Sequence, residues 1–279
     1  MRTLAKIWII CFFMCVFITV SCLAKIDPKT VAGYWLFDEG KGNTTVDSSG
    51  NNNNGNIVGG FKWTDGKFGK CLEFDGSSAY VVCANSESLD ITKEITVTAW
   101  VKFKGLDYKN SSGRLNSIAA KGYPDSIPAN AGWWFSYDNR NNGQGFPYTC
   151  FGNKNGGWAG GGNSFGGYNI VFENNEWNHL AFTVAKSIAK LYINGTQFGA
   201  DKTLVNLVLS DTSRDLFIGC ADRAWFMMGL IDEFAIFNVA LPAQDIQTIM
   251  DKGLKESVNP LAIDPNDKVA STWGNIKSR

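Results

Sequence analysis

Short runs of alternating apolar and polar residues, separated by turn residues, dominate this sequence from Val31 onward. The runs are rich in Val, Ile, Phe, Tyr, Trp and Thr, which favour the half-buried surface of a β-sheet. Turn dipeptides such as Asp75-Gly76 and Asn155-Gly156 lie between them, and these residue types tolerate the positive φ angles of tight turns. The predicted strands are Gly33–Phe37, Gly69–Phe74, Tyr80–Ala84, Ile95–Phe103, Ser117–Ala120, Gly132–Tyr137, Pro147–Phe151, His179–Ala185, Lys190–Ile193, Asp215–Gly219 and Gly229–Phe237. So many strands predict an all-β sandwich, with Ile193–Thr196 as its clearest hairpin.

Helical periodicity occurs in one late segment, Pro242–Leu254. Its apolar residues Ile246, Ile249 and Met250 follow the i, i+3, i+4 spacing of a helix face, and Pro242 suits the first helical position. An all-β sandwich can hold more than 200 residues in one domain. We therefore predict a single domain over residues 31–254 with one short C-terminal helix, followed by a tail over residues 255–279.

The N-terminal segment has the pattern of a secretory signal. An apolar run from Ile7 to Val20 follows two basic residues, and it is shorter than the about 20 residues of a membrane span. Ordinary cleavage after Ala24 fits the small residues around it. Thr19-Val20-Ser21-Cys22 faintly resembles a lipobox, so a lipid anchor at Cys22 is the alternative. We predict that residues 1–24 are removed as a signal peptide and that the protein is secreted or attached to the cell envelope.

The charge balance excludes a class of partner. The chain has 26 basic and 26 acidic residues, whereas a nucleic-acid binder that neutralises phosphates needs a basic face. We expect no nucleic acid as a partner. The single histidine also argues against catalytic designs that need several imidazoles.

Motifs in a fixed order resemble those of the LamG-like (laminin G-like, concanavalin A-like) jelly-roll domain. They are Tyr34–Gly40, Asp47–Gly50, Phe68–Lys70, Phe74–Gly76, Ile95–Val101, Glu176–His179, Leu191–Gly195 and Gly229–Phe234. The resemblance covers nearly the whole predicted domain. It implies two antiparallel sheets packed as a jelly-roll sandwich, usually extracellular and often with a structural Ca²⁺. Lectins, adhesion modules and glycanases share this fold, so the resemblance does not imply one function.

Four cysteines lie outside the signal-type segment, and exported proteins rarely keep free thiols. If the chain forms a hairpin through Asp75–Ala79, Cys71 lies directly across from Cys83. Such a cross-strand pair has a Cα separation of about 4.5–5.5 Å, which suits a disulfide bond. Cys150 and Cys220 then remain as a second pair. The alternative is four independently buried thiols.

Acidic residues near both ends of the predicted domain raise the question of a metal. In the jelly roll that the sequence resembles, the first and last strands pair, which brings Asp38 and Asp232 to one sheet edge. Asp47 in the adjoining turn is a third candidate. Ca²⁺ takes about six to eight oxygen ligands, so carboxylates, backbone carbonyls and water would suffice. The alternative is that Asp38 and Asp47 form turns and Asp232 hydrogen-bonds a strand end.

The sequence offers no convincing catalytic pair. A retaining glycanase needs two carboxyl groups about 5–5.5 Å apart, which concanavalin A-like glycanases place along one strand as Glu-x-Asp-x-(x)-Glu. The nearest match, Glu73-Phe74-Asp75, lacks the second glutamate. His179 lies at a strand start, where a structural role is the more common one. We therefore expect that the protein is not an enzyme.

A long Gly- and Asn-rich stretch, Asn139–Gly167, carries the candidate ligand-binding residues Tyr148, Trp158 and Phe165, and Trp134 precedes it. Loops that a rigid sandwich positions are where recognition usually occurs. Aromatic rings cover the C–H faces of sugars, and neighbouring amides bond hydroxyl groups. The alternative is that these rings hold the loop in place.

Strand alternation adds one constraint, because Trp133 and Trp134 must face opposite sides of their sheet. Our hypothesis is an exported, non-catalytic module that binds a glycan and contains a structural calcium ion. The alternative is an extracellular protein–protein adhesion or cell-surface scaffolding domain. Coplanar, exposed rings would favour a sugar, and a broad apolar patch would favour a protein.

Overall fold

The computed structural model describes residues 26–106, 115–122, 130–141, 144–155, 158–162, 170–209 and 214–258. Its strands, in chain order, are β1 (Val31–Trp35), β2 (Thr44–Thr45), β3 (Gly55–Val58), β4 (Phe61–Asp65), β5 (Lys70–Asp75), β6 (Tyr80–Cys83), β7 (Ile95–Phe103), β8 (Leu115–Lys121), β9 (Asn130–Asn141), β10 (Gln144–Asn153), β11 (Trp158–Gly162), β12 (Trp177–Ala185), β13 (Ile188–Ile193), β14 (Thr196–Thr203), β15 (Leu207–Val208), β16 (Leu216–Ile218) and β17 (Met228–Phe237). Two helices follow, α1 (Ala243–Lys252) and α2 (Leu254–Val258), and two 3₁₀ helices span Pro28–Thr30 and Glu87–Leu89. Within these ranges, no helix has the length and apolar character to span a membrane.

The strands form two antiparallel sheets. Sheet A has the order β14-β13-β12-β7-β17-β5-β4, and β1 also pairs with β17. Sheet B has the order β11-β10-β9-β8-β16-β6-β3-β2, and β15 also pairs with β10. Every predicted strand overlaps an observed one. The predicted two-sheet sandwich is confirmed, and so is the pairing of the first strand with the last.

The core lies between the two sheets. Large rings from both sheets fill it, among them Trp35, Phe74, Phe103, Trp133 and Phe182, each at most 1% exposed. Trp133 of sheet B meets Phe182 of sheet A edge to face, with 5.7 Å between ring centroids. Burying one such side chain contributes up to about 3 kcal/mol, so the burial of this layer supplies most of the free energy that holds the two sheets together.

The C-terminal helices cover part of the outer face of sheet A. Ile246, Ile249 and Leu254 pack there against Tyr192 and Phe237. The helix predicted over Pro242–Leu254 is confirmed as α1, but the expectation of one helix is wrong. The chain turns at Gly253, which has a φ of 78°, and continues into α2, so the predicted tail begins inside a helix.

The predicted hairpin through Asp75–Ala79 is also wrong. Strand β5 belongs to sheet A and β6 to sheet B, so this turn carries the chain from one sheet to the other. Asp75 holds the turn together, because its Oδ1 accepts backbone N–H groups of Ser77, Ser78 and Ala79 at 2.9, 2.8 and 2.9 Å. The same turn residues that suit a hairpin here stabilise a crossing between sheets.

This crossing removes the geometric reason for a Cys71–Cys83 disulfide. Cys71 lies opposite Thr64 in sheet A, whereas Cys83 lies opposite Leu216 in sheet B and faces the core. In the described part of the chain, no disulfide joins any of the four buried cysteines, Cys71, Cys83, Cys150 and Cys220. Burial raises the pKa of the Cys71 thiol to about 12. The structure therefore matches the alternative of four independently buried thiols.

The Asn139–Gly167 stretch contains more sheet than predicted. Strand β9 continues to Asn141, β10 starts at Gln144, and the two pair as a long hairpin. Strand β11 then adds Trp158–Gly162 to the edge of sheet B. The glycines and asparagines of this region obscure the alternation of its side chains, and so it resembles a loop in the sequence.

Candidate functional site

The outer face of sheet B carries the candidate ligand-binding residues that the structure describes. Trp134 in β9 lies opposite Cys150 in β10, and Tyr148 lies two residues before Cys150 on the same face. Neighbouring Trp133 points the other way, into the core. The predicted alternation of the two tryptophans is thus confirmed, and Trp134 is the one that faces away from the core.

Trp134 is a buried ring at the base of an aromatic group. Its side chain is 3% exposed, and its Nε1 donates a 2.9 Å hydrogen bond to Ser117 Oγ. The ring lies 5.6 Å from Tyr148 at an interplanar angle of 74° and 5.1 Å from Trp225 at 46°. Tyr148 and Trp225 are both half-buried. A ligand on this face would therefore meet Tyr148 and Trp225, while Trp134 supports them from below.

Trp225 comes from a segment that we call the arched loop, residues 219–227. Backbone hydrogen bonds of 2.9 Å in both directions join Ala221 to Ala224 and close its tip. Asp222, Arg223 and Trp225 adopt positive φ angles of 45°, 64° and 48°. Such conformations cost side-chain-bearing residues about 1–3 kcal/mol each and cluster at functional sites. The surrounding structure holds a strained loop in place over this face.

A second aromatic group continues the same face towards β3. Tyr80 lies 5.9 Å from Phe217 and 6.3 Å from Phe226, and the Arg223 guanidinium lies 5.2 Å from the centre of the Phe217 ring. The arched loop thus gives Trp225 to one group and Phe226 to the other. Together they form a row of rings across the outer face of sheet B.

Charged groups of the arched loop border this row. Asp222 accepts hydrogen bonds from Arg214 Nη1 at 2.9 Å and from Arg223 Nη1 at 3.4 Å. Arg223 keeps 60% of its side chain exposed. Exposed ion pairs of this kind stabilise a fold little, but they fix the direction in which donors and acceptors point. Rings with bordering donors and acceptors suit a ligand that has both apolar faces and hydroxyl or carboxylate groups.

The structure brings together two of the four predicted ligand-binding residues. Trp134 and Tyr148 are in contact, Trp158 begins β11 with a side chain outside the described part, and Phe165 lies outside the described residues. Sequence reasoning missed the arched loop. Its only signal was the pair Trp225-Phe226 between two glycines, in a region without alternation.

The predicted metal-binding aspartates Asp38 and Asp232 both hold the turn between β4 and β5. Asp232 is fully buried, and its Oδ2 accepts the backbone N–H groups of Lys67 at 2.7 Å and Phe68 at 3.0 Å. Asp38 Oδ1 accepts the N–H of Lys70 at 2.8 Å. Burial raises the pKa of Asp232 to about 8. The two carboxylates therefore reach one segment, as expected of acids at a shared edge, and bind its backbone.

Asp47 has a similar role on the other side of β1. It accepts backbone hydrogen bonds from Tyr34, Ser49 and Asn53 at 3.1, 2.9 and 2.9 Å, and this arrangement is typical of a turn-forming aspartate. Among the described residues, no group of three or more His, Cys, Asp or Glu side chains could hold a metal ion. The turn-forming alternative thus accounts for these contacts, and calcium stays a prediction.

Comparison with known families agrees with this architecture. A laminin G family model, described as the concanavalin A-like lectin/glucanases superfamily, matches residues 75–247. The chain belongs to this superfamily. The matched segment runs from the sheet-crossing turn to α1, so it includes the arched loop and the row of rings. Among curated proteins, no sequence matches this chain.

Several solved structures are similar to this superfamily member. One is domain 4 of AbnA, a GH43 extracellular arabinanase from Geobacillus stearothermophilus, in complex with arabinotriose; the sequences are 23% identical, the TM-score is 0.59, and the match covers 81% of this chain and 100% of that domain. The receptor-binding domain of a botulinum neurotoxin C/D mosaic serotype is 17% identical with a TM-score of 0.54, and the match covers 80% of this chain. A Trypanosoma rangeli sialidase in complex with 2,3-difluorosialic acid is 16% identical with a TM-score of 0.56, and the match covers 80% of this chain.

These similarities show a shared fold. The matches cover 51% of the toxin domain and 33% of the sialidase, so this chain corresponds to a part of each of those two proteins. At such identities the binding residues of one protein do not transfer to another, and function has to be argued from the site.

Proposed function

We propose that this protein is an exported, non-catalytic carbohydrate-binding module, and that its binding surface is the row of rings beneath the arched loop. The observation that carries the proposal is the arched loop itself, in which Trp225 and two neighbouring residues adopt strained positive φ angles on the outer face of sheet B. Strain of this kind is retained where a particular surface has to be presented. Export rests on the signal-type pattern of residues 1–24, which lies outside the described residues.

The chemistry of the surface favours a sugar ring. Tyr148, Trp225 and Tyr80 are half-buried, so part of each residue is open to solvent while the rest is packed. Aromatic faces bind apolar C–H surfaces, and the phenolic hydroxyl can also bond a ligand hydroxyl. Asp222 and Arg223 add an acceptor and donors at the border. The rings are not the coplanar, exposed set that would by itself favour a sugar, since Trp134 lies at 74° to Tyr148 and at 46° to Trp225. The proposal therefore rests on the combination of rings and bordering polar groups.

The similarity to AbnA domain 4 supports the same class of ligand, because that domain was solved with arabinotriose. It covers most of this chain and the whole of that domain. The similarity does not identify the particular sugar that this protein binds, since the residues that contact a sugar can differ completely at 23% identity. Arabinotriose is therefore a suitable first probe.

The absence of catalysis is also our proposal. Both carboxylates of the nearest sequence match to a catalytic pair have structural contacts. Glu73 accepts a 2.8 Å hydrogen bond from Lys104, and Asp75 holds the sheet-crossing turn. Both lie at sheet A, whereas the row of rings lies on the outer face of sheet B. A glycanase would need a different pair of carboxyl groups beside the bound sugar.

Replacing Trp225 or Tyr148 by alanine should weaken glycan binding by about tenfold or more, since each removes a ring that is worth over 1 kcal/mol of contact. Binding of arabinotriose is measured by calorimetry, and a glycan array is used to find other ligands. Trp177→Ala is the matched control, because Trp177 is a half-buried tryptophan on the outer face of sheet A, with Lys102 Nζ 4.9 Å from its ring centre.

Equal binding by the Trp225 and Trp177 variants would show that the sugar site lies elsewhere. If no glycan on the array binds the wild-type protein, the carbohydrate proposal is wrong, and the adhesion alternative would take its place. A protein ligand of the same face would also be lost in the Trp225→Ala variant, so the glycan array, and not the variant, separates the two classes of ligand.

We also propose a structural Ca²⁺ beside Asp232. The observation in its favour is that Asp232 Oδ1 is buried with no hydrogen-bond partner among the described residues, and Ca²⁺ prefers carboxylate oxygens. Metal at 100 times its Kd would add about 2.7 kcal/mol to the free energy of unfolding. Melting of the wild-type protein should therefore fall by about 5–10 °C in EGTA and recover with Ca²⁺.

Asp232→Asn should lose most of this response to chelator, whereas Asp65→Asn, which changes an exposed acid nearby, should keep it. A wild-type melting temperature that does not respond to EGTA, in protein that contains no metal, would contradict the calcium proposal. The carbohydrate proposal would then still stand on the row of rings.

A further inference from the structure

A lysine is almost completely buried at the end of β8. The Lys121 side chain is 1% exposed, although lysine is among the residues that are least often buried. Its Nζ lies 2.6 Å from Asn85 Oδ1, 3.0 Å from Asp90 Oδ1 and 3.1 Å from the backbone oxygen of Arg214. An amine, a carboxamide and a carboxylate are thus in direct contact.

The contact among the three side chains is closed, because Asn85 Nδ2 also lies 3.4 Å from Asp90 Oδ2. One carboxylate therefore touches both the amine and the nitrogen of the amide. The backbone fixes all three groups. Lys121 pairs with Leu216 in sheet B, the N–H of Asn85 binds Asp215 Oδ1 at 3.0 Å, and Asp90 ends a 3₁₀ helix.

We propose that Lys121 and Asn85 join in an intramolecular isopeptide bond, with Asp90 as the proton carrier. Asp90 takes a proton from the Lys121 ammonium, and the neutral amine attacks the Asn85 carbonyl carbon. A new C–N bond forms between Nζ and Cγ, and the original Cγ–Nδ2 bond breaks. Nζ gives up two protons in all, one to Asp90 before the attack and a second as the new amide forms, and Asp90 passes both to the amide nitrogen, which leaves as ammonium. No oxidant or reductant is needed, and Asp90 is regenerated as a carboxylate.

Three features of the site favour this reaction. The folded chain holds amine and amide together, and such positioning can replace an effective concentration of about 10⁵ M or more. The amine is shielded from water, because the Lys121 side chain is 1% exposed while Asp90 keeps 19%, and less water is then present to compete as a nucleophile. The carboxylate lies beside the amine that has to lose a proton and beside the nitrogen that has to gain one, which is the geometry that general acid–base catalysis requires.

The bond would also suit its place in the fold. Strand β16 is only three residues long and lies between β8 and β6 in sheet B. A link from Lys121 at the end of β8 to Asn85 just after β6 would span β16. The amide N–H that remains could still donate to Arg214 or Asp90. The proposal is independent of the proposed glycan site.

Mass spectrometry of the purified full-length protein tests the bond directly. The linked protein should be about 17 Da lighter than the mass calculated for the purified chain from its own N-terminus, which is the mass of one ammonia. Trypsin should no longer cleave after Lys121, and a branched peptide should join the Cys71–Lys93 segment to the Leu115–Arg140 segment. This second reading is needed because cyclisation of Asn85 with its own backbone loses the same mass without joining two peptides.

Asp90→Asn should leave the chain at full mass with both peptides separate, because the proton carrier is gone while the side-chain volume is kept. Lys121→Gln should do the same. Asp65→Asn, at an exposed ion pair elsewhere, should keep the branched peptide. Separate peptides in the wild-type protein would overturn the proposal and leave a buried ion pair. Persistence of the link in the Asp90 variant would overturn the role of Asp90.

Discussion

Gly219→Ala should lower the free energy of unfolding by about 2–5 kcal/mol, because two separate penalties add at this position. Gly219 has a φ of 84°, which side-chain-bearing residues rarely adopt, and a Cβ there would lie 2.3 Å and 2.5 Å from carbon atoms of the Phe74 ring. Phe74 is a core residue with 1% exposure, so its ring cannot move aside without disturbing the layer between the sheets. Urea unfolding of the variant and the wild type measures the difference.

Gly42→Ala is the matched control. Gly42 has a similar φ of 80°, but no atom lies within 4 Å of a Cβ built there. It should cost only the backbone penalty of about 1–2 kcal/mol. Equal losses at Gly42 and Gly219 would contradict the argument from the Phe74 contact.

The same substitution should also affect the proposed site. Gly219 begins the arched loop, its N–H donates to Ile118 and its carbonyl oxygen accepts from Met227, both at 2.8 Å. A shift of this backbone would move Trp225 relative to Trp134. The folded fraction of Gly219→Ala should therefore bind any glycan ligand more weakly than Gly42→Ala does.

The architecture could be predicted from the sequence because the signals of a strand, which are its alternation and its flanking turn residues, lie within a short segment. Alternation and turn residues located each predicted strand within a few positions, and the hairpin at Ile193–Thr196 is confirmed, with positive φ at Asn194 and Gly195. The LamG-like motifs supplied the long-range order, including the pairing of β1 with β17. These features depend on short segments or on a known fold.

Sheet membership is not a local property, and there the sequence misled. Asp75-Gly76 gives the same turn signal whether the chain folds back in one sheet or crosses to the other. In the crossing, Val81 and Cys83 face the core. A hairpin that places Cys71 across from Cys83, with Phe74 on the core face, would instead turn Tyr80 and Val82 inward. The proposed Cys71–Cys83 bridge failed for this reason alone.

The candidate site was predicted only in part, for a related reason. Trp134 and Tyr148 lie on strands, so alternation could place them on one face. Trp225 lies in the arched loop, whose shape depends on positive φ at Asp222 and Arg223, and neither residue type requires that conformation. Its position over Trp134 is set by tertiary packing and by the hydrogen bond from Ser117 N to Trp225 O, at 3.1 Å.

The remaining large effect concerns His179, the only histidine of the chain. The side chain is fully buried, its Nε2 lies 2.7 Å from Thr98 Oγ1, and the ring lies 5.3 Å from Trp100. Its Nδ1 has no hydrogen-bond partner among the described residues. Burial without a compensating acid lowers the pKa of His179 to about 3, because the charged imidazolium cannot be solvated there.

His179 should therefore make the fold sensitive to acid. The unfolded chain takes up a proton at His179 below a pH of about 6.5, while the folded protein does so only near 3, so the free energy of unfolding falls as the pH drops through this interval. The contribution of His179 alone should lower the free energy of unfolding by about 3 kcal/mol at pH 4 relative to neutral pH. His179→Gln, which can still bond Thr98, should remove that part of the pH dependence.

Thr98→Val is the informative control for this prediction. This substitution deletes the hydrogen bond but leaves the imidazole buried. It should therefore destabilise the protein at every pH and keep the fall in the free energy of unfolding at acid pH. His179→Gln should instead remove that fall. Because the chain has one histidine, a single set of imidazole resonances reports the group by NMR. These resonances should not shift between about pH 5 and 8 in the folded protein. A native imidazole that titrates near 6.5, or equal pH profiles for the wild type and His179→Gln, would show that the ring is solvated and that acid acts on the fold through other groups.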